Sequence, residues 1–325
     1  MIQFSHKHLD ESKKRFSHVL ILYEGNYDKL RQIFNDYFKN LLGGVKMSKK
    51  HPITVSSYTL GTEVTFEERV RAAKEAGYEG LGLRAENYVA ALQEGLHDED
   101  ILAILNKYDI KVTEVEYITL WAEENRSLEQ QMKEQMCFHM CDLFDVKQIN
   151  CGLMENYSVE YTAKKLKELC QRAGDLIIGV EPMPYSGIPN LEKAWQVVDQ
   201  SGCDNAKIIL DTWHWVRANQ PYDKVIDMIP AEKVVSVQIN DVQARPYAAK
   251  VLRDESMHDR VAPGLGYGDT AGFCKMLRDK GIKPNAVGVE VICDEYVEKG
   301  VDFAAKYTYE NAIKVLKEAW PEVVE

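Results

Sequence analysis

The amino-acid sequence predicts an α/β fold, a (β/α)₈ TIM barrel, and three observations support that prediction. From Pro52 onward, short β-branched runs alternate with longer amphipathic stretches, which is the pattern of βαβ units. Eight such units can be counted, as a closed barrel requires. Each of the last four runs ends in a side chain with a metal-capable oxygen, and these side chains are spaced 30, 27 and 52 residues apart. A barrel of about 250 residues averages about 30 residues per unit.

The barrel is predicted to form one catalytic domain over residues 47–325, preceded by an N-terminal extension over residues 1–46. The extension contains one amphipathic segment, at 27–42, which ends at two glycines. We expect it to be either an arm that packs on the barrel or on a partner, or a disordered segment. No catalytic role is assigned to it.

Local signals predict the first half of the barrel in chain order. The first strand is expected at 53–58, and Thr65 with the acidic residues of the next turn opens a helix that Gly77 ends. The next three strands and the helices between them are expected at 80–84, 111–117 and 148–152, and at 99–107 and 127–143. No helix is assigned between strands four and five.

The second half contains the strands that end in oxygen ligands. Strands five to eight end at Glu181, Asp211, Gln238 and Glu290, with helices near 191–200, 222–228, 270–280 and 303–319. The 52 residues between Gln238 and Glu290 exceed the usual length of a unit and imply an insertion of about 20 residues after strand seven. This long loop, at 241–269, contains Arg245, His258, Arg260 and a glycine-rich run that we expect to form a turn. The loop is predicted to fold over the barrel mouth.

Composition limits the classes of partner. The chain has 40 basic and 51 acidic residues, a net charge of −11 that would repel a phosphate backbone, so no nucleic-acid partner is expected. Seven scattered cysteines offer no disulfide framework, and we find neither a secretory signal nor a membrane-spanning run. A cytoplasmic location and no membrane partner are therefore the expectation.

The four strand ends predict a metal site made of Glu181, Asp211, Gln238 and Glu290. A single strand-end carboxylate more often caps a helix or pairs with an arginine, but four strand ends in succession, with three carboxylates and one amide, favour a metal. Gln238 has an open alternative, a structural hydrogen bond, because a buried amide must be satisfied in some way. These hard oxygen ligands favour Mn²⁺ or Mg²⁺ over Zn²⁺ unless His214 also binds the ion.

Other polar residues near these strand ends suggest catalytic and binding roles. His214 follows Asp211 by three residues, which offers a proton-transfer group beside a ligand. Asn240 should share a strand face with Gln238 and is a candidate substrate-binding residue. His258 and Arg260, if the loop covers the mouth, would present donors to substrate oxygens, although a solvated loop charge is the commoner fate of such residues.

With these residues in place, residues 52–320 resemble the xylose-isomerase-like superfamily of sugar isomerases and epimerases. The likeness lies in the strand-five glutamate, the Asp-x-x-His after strand six, the segment from Gln238 to Asp241, an arginine before Pro-Gly-x-Gly-x-Gly-Asp, and the strand-eight glutamate. The resemblance implies that Glu181 and Glu290 bind the metal and also transfer the proton. It implies that His214 and Arg260 bind a sugar substrate.

One position departs from that pattern, because Gln238 stands where the superfamily usually has histidine. In this the chain resembles the large (alpha) subunit of bacterial C-glycoside deglycosidases, which works with a small β-sandwich partner in a hetero-oligomer. That resemblance implies a lyase, with Mn²⁺ rather than Mg²⁺ or Co²⁺, that cleaves the carbon–carbon glycosidic bond of 3-oxo C-glucosides. The alternatives are an isomerase or epimerase of a free or phosphorylated sugar, and a non-enzymatic barrel with a vestigial site.

Overall fold

The computed structural model describes residues 51–218, 224–244 and 252–325. The predicted N-terminal extension and Arg245 lie outside these residues. Eight parallel strands form a closed barrel in sequence order, and the eighth strand pairs with the first. The predicted (β/α)₈ TIM barrel is therefore confirmed. The strands are β1 Ile53–Ser56, β2 Gly80–Arg84, β3 Lys111–Ile118, β4 Gln148–Cys151, β5 Ile177–Val180, β6 Ala206–Asp211, β7 Val234–Ile239 and β8 Val287–Val289.

Helices follow the strands around the outside of the barrel. They are α1 Phe66–Ala76, α2 Ala85–Gln93, α3 Asp98–Tyr108, α4 Leu128–Phe144, α5 Val159–Ala173, α6 Leu191–Ser201, α7 Thr212–Arg217, α8 Val225–Met228, α9 Leu252–His258, α10 Thr270–Asp279, α11 Asp294–Glu298 and α12 Val301–Ala319. No helix in the described ranges is both long and apolar enough to cross a membrane. The seven cysteines are free thiols.

The first helix shows how local signals fix the boundaries. Thr65 and Glu68 form a capping box at the start of α1, where each side chain accepts a hydrogen bond from the other residue's backbone N–H. Gly77 ends the helix with a φ of 111°, in the left-handed region that favours glycine. The predicted start and end of this helix are both confirmed.

The structure differs from the predicted elements at several positions. β1 ends at Ser56 because residues 57–60 turn into a 3₁₀ helix. Helix α2 begins directly after β2 with no intervening turn, so no local signal separates the two elements. Helix α5 was missed although Ser158 caps it by accepting a hydrogen bond from the Tyr161 N–H. The long loop also contains α9, where no helix was predicted.

The barrel interior is more polar than the layers of branched apolar side chains that usually fill this fold. Asn150 on β4 donates a 2.7 Å hydrogen bond to Glu114 on β3, and Ser236 on β7 donates to the same carboxyl from across the barrel. Gln148 donates to the Asn150 side-chain oxygen at 2.9 Å. These four side chains are almost fully buried. A hydrogen-bonded polar layer therefore lies inside the barrel.

Strand register brings the predicted ligands together. Asp211 is paired with Gln238, and Gln238 with Gly288, which leaves the ends of β5 to β8 side by side at the carboxyl end of the barrel. Gly288 has no side chain to crowd its neighbour, because a Cβ there would lie only 3.2 Å from Cγ of Gln238. The fold thus positions four oxygen-bearing side chains at one mouth.

Candidate active site

The four predicted ligands, Glu181, Asp211, Gln238 and Glu290, are all buried at successive strand ends. Two of them have full sets of partners. Asp211 accepts hydrogen bonds from the His214 backbone N–H at 2.9 Å and from Asn240 Nδ2 at 2.5 Å. Glu290 accepts a 3.1 Å hydrogen bond from the Ser56 hydroxyl. These contacts hold both carboxylates in fixed orientations.

The other two ligands each keep a free oxygen. Oε1 of Glu181 and Oε1 of Gln238 are buried and accept no hydrogen bond from any residue that the structure describes. A buried polar atom without a partner costs about 1–3 kcal/mol, so its presence at a strand-end cluster points to a ligand that the protein itself does not supply. Carboxylate and amide oxygens are the ligands that hard divalent cations prefer.

Arg260 occupies the space between the two paired carboxylates. Its Nη1 donates to Asp211 Oδ2 and to Glu290 Oε2, each at 3.1 Å. Within the described ranges, no three His, Cys, Asp or Glu side chains are grouped closely enough to hold a metal ion. The oxygen donors fit a divalent cation in their chemistry, but in this arrangement the Arg260 guanidinium provides the positive charge beside Asp211 and Glu290.

The charge balance of the mouth also favours a cation. Four buried carboxyl groups, on Glu116, Glu181, Asp211 and Glu290, are accompanied by two guanidinium groups, on Arg84 and Arg260. Full ionisation would leave two negative charges uncompensated. Burial raises the pKa of Glu181 and of Asp211, and Arg260 opposes that shift in both. A divalent cation would balance the remaining charge.

His214 lies on α7, directly beside this cluster. Its Nε2 is 3.4 Å from Glu181 Oε1 and 3.4 Å from Arg260 Nη2, and its Nδ1 has no partner among the described residues. Burial lowers the pKa of His214 to about 4, although Asp211 acts in the opposite direction. The ring is therefore neutral near pH 7, and a neutral imidazole has a lone pair that can accept a proton.

Aromatic side chains enclose His214. Its ring packs edge-on against Trp213, with centroids 5.2 Å apart, and against Tyr185, at 5.7 Å. Arg260 lies over the Trp213 ring at 5.7 Å. These contacts limit water around the imidazole and its carboxylate neighbours, which strengthens the electrostatic interactions within the site.

Three predicted substrate-binding residues have different surroundings. Arg260 lies at the mouth as expected, but its donors are engaged by Asp211, Glu290 and Ser256. Asn240 also lies in the cluster, where it donates to Asp211 and to the Glu290 carbonyl. His258 is half exposed and faces Asp294 at 3.1 Å, so the structure does not bring it into the cluster.

The glycine-rich run at 263–268 forms the predicted turn, and Asp241 holds it in place. This carboxylate accepts hydrogen bonds from the backbone N–H groups of Val242, Gly264 and Gly268, at 2.8, 3.0 and 2.7 Å. A Cβ at Gly266 would lie 2.3 Å from the Val242 carbonyl oxygen. The turn therefore packs tightly against the segment that follows β7.

Two further charged residues lie at the mouth, Arg84 and Glu116, and the strand-end pattern did not predict them. Arg84 ends β2 and Glu116 lies near the end of β3, with Arg84 Nε 3.4 Å from Glu116 Oε2. The signal was the period of two, because Glu114 and Glu116 alternate with apolar residues on β3. A buried strand with alternating carboxylates indicates a polar barrel interior.

Residues 70–319 match the family model described as "Xylose isomerase-like TIM barrel". The chain belongs to this family. The broader resemblance drawn from the strand-end residues is thus confirmed, and the members it resembles indicate an enzyme.

Comparisons with individual proteins show how far that likeness extends. The inosose isomerase of Bacillus velezensis is 28% identical over 141 residues, which cover 43% of this chain and 45% of that protein. The chain thus matches less than half the length of that relative. A solved structure described as the IOLI protein with a bound zinc atom has a TM-score of 0.70 at 16% identity, covering 83% of this chain and 99% of that one. A probable 3-DHS dehydratase of Bacillus anthracis has a TM-score of 0.64 at 14% identity, covering 81% and 98%. These two structures share the fold.

Proposed function

We propose that this chain is a divalent-metal-dependent enzyme that removes a proton from the carbon next to a carbonyl group of a sugar-like substrate. The supporting observation is the pair of buried, unpartnered oxygens on Glu181 and Gln238, beside the carboxylates of Asp211 and Glu290. These four residues would hold the ion, for which we propose Mn²⁺, with Mg²⁺ and Co²⁺ as the other candidates. When bound, the ion would polarise the substrate carbonyl and so acidify the neighbouring C–H.

The protein groups for proton transfer are Glu181 and His214. Their facing atoms, Oε1 and Nε2, lie 3.4 Å apart. Glu181 Oε1 has no hydrogen-bond partner among the described residues, and Nε2 of the neutral ring accepts only a 3.4 Å contact from Arg260 Nη2. Glu290 is the other carboxylate that the family resemblance assigns to proton transfer, but its two oxygens accept from Ser56 and Arg260. The geometry therefore favours Glu181 or His214 as the base, with the enediolate as the product of the first step.

The fate of that enediolate defines the reaction. Our first proposal is a carbon–carbon lyase that acts on 3-oxo C-glucosides. Removal of the C2 proton is followed by β-elimination, in which the electron pair of the C1–C bond leaves with the aglycone carbon, which then takes a proton. This proposal rests on the likeness to C-glycoside deglycosidases at Gln238, and it includes a small β-sandwich partner subunit.

The second proposal is an isomerase or epimerase, in which a proton returns to the enediolate. The partial match to an inosose isomerase supports it. Both reactions begin with the same proton abstraction, so one experiment tests their shared step and another separates them.

The shared step is tested by deuterium exchange in D₂O. Metal-free and Mn²⁺-loaded protein would be incubated with a panel of inososes, ketohexoses and 3-oxo C-glucosides, and deuterium next to the carbonyl measured by mass spectrometry. We expect metal-dependent exchange that Glu181→Gln abolishes and that Glu318→Gln, at an exposed site on α12, leaves unchanged. The absence of exchange with every compound, with any co-purifying subunit present, would contradict the proposal. Aglycone release without ketose turnover would support the lyase.

A binding or scaffold barrel is tested by metal analysis of Glu181→Ala and Glu290→Ala. If both variants keep the metal content and the activity of the unaltered protein, the four strand-end residues do not form a metal site.

A further inference from the structure

Arg84 and Glu116 form a second charged feature of the mouth, on strands that do not contribute the four oxygen ligands. The Arg84 guanidinium lies 4.2 Å from the centre of the Tyr58 ring and 5.2 Å from that of Tyr117. Its one ionic contact is the 3.4 Å approach of Nε to Glu116 Oε2. Within the described ranges the guanidinium donates no hydrogen bond, and Glu116 Oε2 accepts none.

Strand geometry directs both side chains into the barrel. A Cβ on Gly82 would lie 2.9 Å from Glu116 Oε1, so the side of β2 on which Gly82 lies faces the Glu116 carboxylate. Arg84 follows Gly82 by two residues and therefore lies on the same side of the strand. Because β2 and β3 are separated from β6 and β7 by several strands in either direction around the closed barrel, this pair lies across the mouth from Asp211 and Gln238.

A comparison within the chain separates this pair from a purely structural ion pair. Glu134 is equally buried, and its carboxylate is saturated, since Arg126 Nη1 donates to it at 3.2 Å and Arg172 Nε and Nη2 donate at 2.8 and 3.0 Å. In the Arg84–Glu116 pair, by contrast, Nε and Oε2 face each other at 3.4 Å without a hydrogen bond, and no other described residue donates to Oε2 or accepts from the guanidinium. Buried groups of this kind are normally satisfied, which indicates that a ligand completes them.

We propose that Arg84 and Glu116 bind adjacent hydroxyl groups at the end of the substrate remote from the reacting carbonyl, which identifies the substrate as a neutral polyol ketone. This inference rests on the proposed function. A hydroxyl group both accepts and donates, so it can accept from the guanidinium and donate to the carboxylate. A phosphate has acceptors only at neutral pH, and the Glu116 carboxylate would repel it. The pair is therefore a specificity device that selects against phosphorylated sugars.

The test uses Mn²⁺-loaded protein and the deuterium exchange reaction. Three compounds are compared: D-fructose, D-fructose 6-phosphate, and dihydroxyacetone, which lacks remote hydroxyl groups. The main variant is Arg84→Met/Glu116→Gln, which removes both charges together and leaves none unpaired. Arg84→Lys is the second variant, because it keeps the charge and the packing but loses the planar donors. Arg126→Met/Glu134→Gln is the control, since it removes two charges from a buried cluster that contacts neither Arg84 nor Glu116 and leaves the third member, Arg172, with a side chain 34% exposed to solvent.

We expect the unaltered protein to prefer D-fructose over its phosphate. Both Arg84 variants should lose at least about tenfold more kcat/KM on D-fructose than on dihydroxyacetone, mainly through KM. The control should leave unchanged the ratio of kcat/KM on D-fructose to that on dihydroxyacetone, and the ratio on D-fructose to that on its phosphate. Equal effects on the long and short ketones, or a preference for the phosphate, would overturn this inference and leave the proposed function intact. If the unaltered protein exchanges none of these compounds or the wider panel, the proposed function fails and this inference fails with it.

Discussion

Nη1 of Arg260 lies 3.1 Å from Oδ2 of Asp211, and both side chains are almost fully buried. The same nitrogen is 3.1 Å from Oε2 of Glu290. These carboxylates are two of the four oxygen ligands proposed for the metal. A guanidinium and a divalent cation therefore compete for the same negative charge, and binding of the ion requires Arg260 to move or to share its partners.

This competition predicts that Arg260→Met binds Mn²⁺ more tightly than the unaltered protein. Methionine fills space without charge, so the carboxylates of Asp211 and Glu290 lose their counter-ion and gain more from the metal. We expect the dissociation constant to fall by about tenfold, and the metal-free variant to lose about 3 kcal/mol of stability that Mn²⁺ restores. Calorimetric titration and thermal unfolding measure the two effects.

The control for this variant is Arg217→Met. Arg217 pairs with Glu255 at 2.9 Å and donates to the Gln243 carbonyl, and it contacts none of the four ligands. Its loss should leave the Mn²⁺ affinity within about twofold. Weaker metal binding by Arg260→Met would show that the guanidinium supports the ion instead of competing with it.

Gln238→Met should separate metal affinity from fold stability. The Gln238 Oε1 accepts no hydrogen bond from the described residues, so an apolar side chain of similar size removes an unsatisfied atom. We expect the metal-free variant to be at least as stable in urea as the unaltered protein, and its Mn²⁺ affinity to fall by about tenfold or more. Gln196→Met, at an exposed position on α6, provides the control for the chemical change. Loss of stability without loss of affinity would indicate a structural role for Gln238.

The sequence predicted the barrel because its signal is repeated. Each buried parallel strand is a short apolar run, and the strand ends at Glu181, Asp211 and Glu290 could be found from those runs alone. Parallel pairing in sequence order then places these ends side by side without any knowledge of side-chain packing. The pattern of short apolar runs is therefore enough to predict both the barrel and the residues whose oxygens meet at its mouth.

The partners of those residues could not be read from local pattern. Arg260 is 49 residues from Asp211 in the chain, and its contact with that carboxylate depends on how the long loop returns to the barrel. The inward direction of Arg84 and Glu116 depends on the register of β2 against β3, which includes an irregularity between Leu81 and Gly82. A period of two predicts that alternate residues share a side, but not which side faces the barrel axis.

Asp241→Asn should destabilise the glycine-rich turn. The amide would present an NH₂ group to backbone N–H donors that now share the Asp241 carboxylate, so at least one charge-assisted hydrogen bond is lost and a buried donor is left unsatisfied. We expect a loss of about 2–3 kcal/mol in urea unfolding, with faster proteolysis of residues 261–268. Asp269→Asn is the matched control in the same segment, because asparagine caps a helix about as well as aspartate does. Equal stability of the two variants would exclude this role for Asp241.

The polar layer inside the barrel predicts a dependence of stability on pH through Glu114. Burial raises the pKa of Glu114 from 4.5 to about 7; hydrogen bonds from Ser236 and Asn150 oppose the shift, and the charges of Glu290 and Glu181 add to it. A raised pKa means that the folded state favours the protonated carboxyl. Glu114 therefore contributes stability that is fully present below pH 4.5 and is lost as the pH rises through about 7.

Glu114→Gln should remove this dependence, because the amide has the shape and hydrogen-bonding capacity of the protonated acid. Its carbonyl can accept from Asn150 and its NH₂ can donate to the Ser236 hydroxyl, so both partners remain satisfied. We compare the free energy of unfolding of the variant with that of the unaltered protein at each pH. The difference, variant minus unaltered protein, should be about 2–3 kcal/mol larger at pH 8 than at pH 5. Urea unfolding of metal-free protein at the two pH values measures the difference, with the exposed Glu318→Gln as a control that should show none. The same difference at both pH values would mean that Glu114 is ionised in the folded protein throughout this range, and that the hydrogen bonds from Ser236 and Asn150 outweigh its burial.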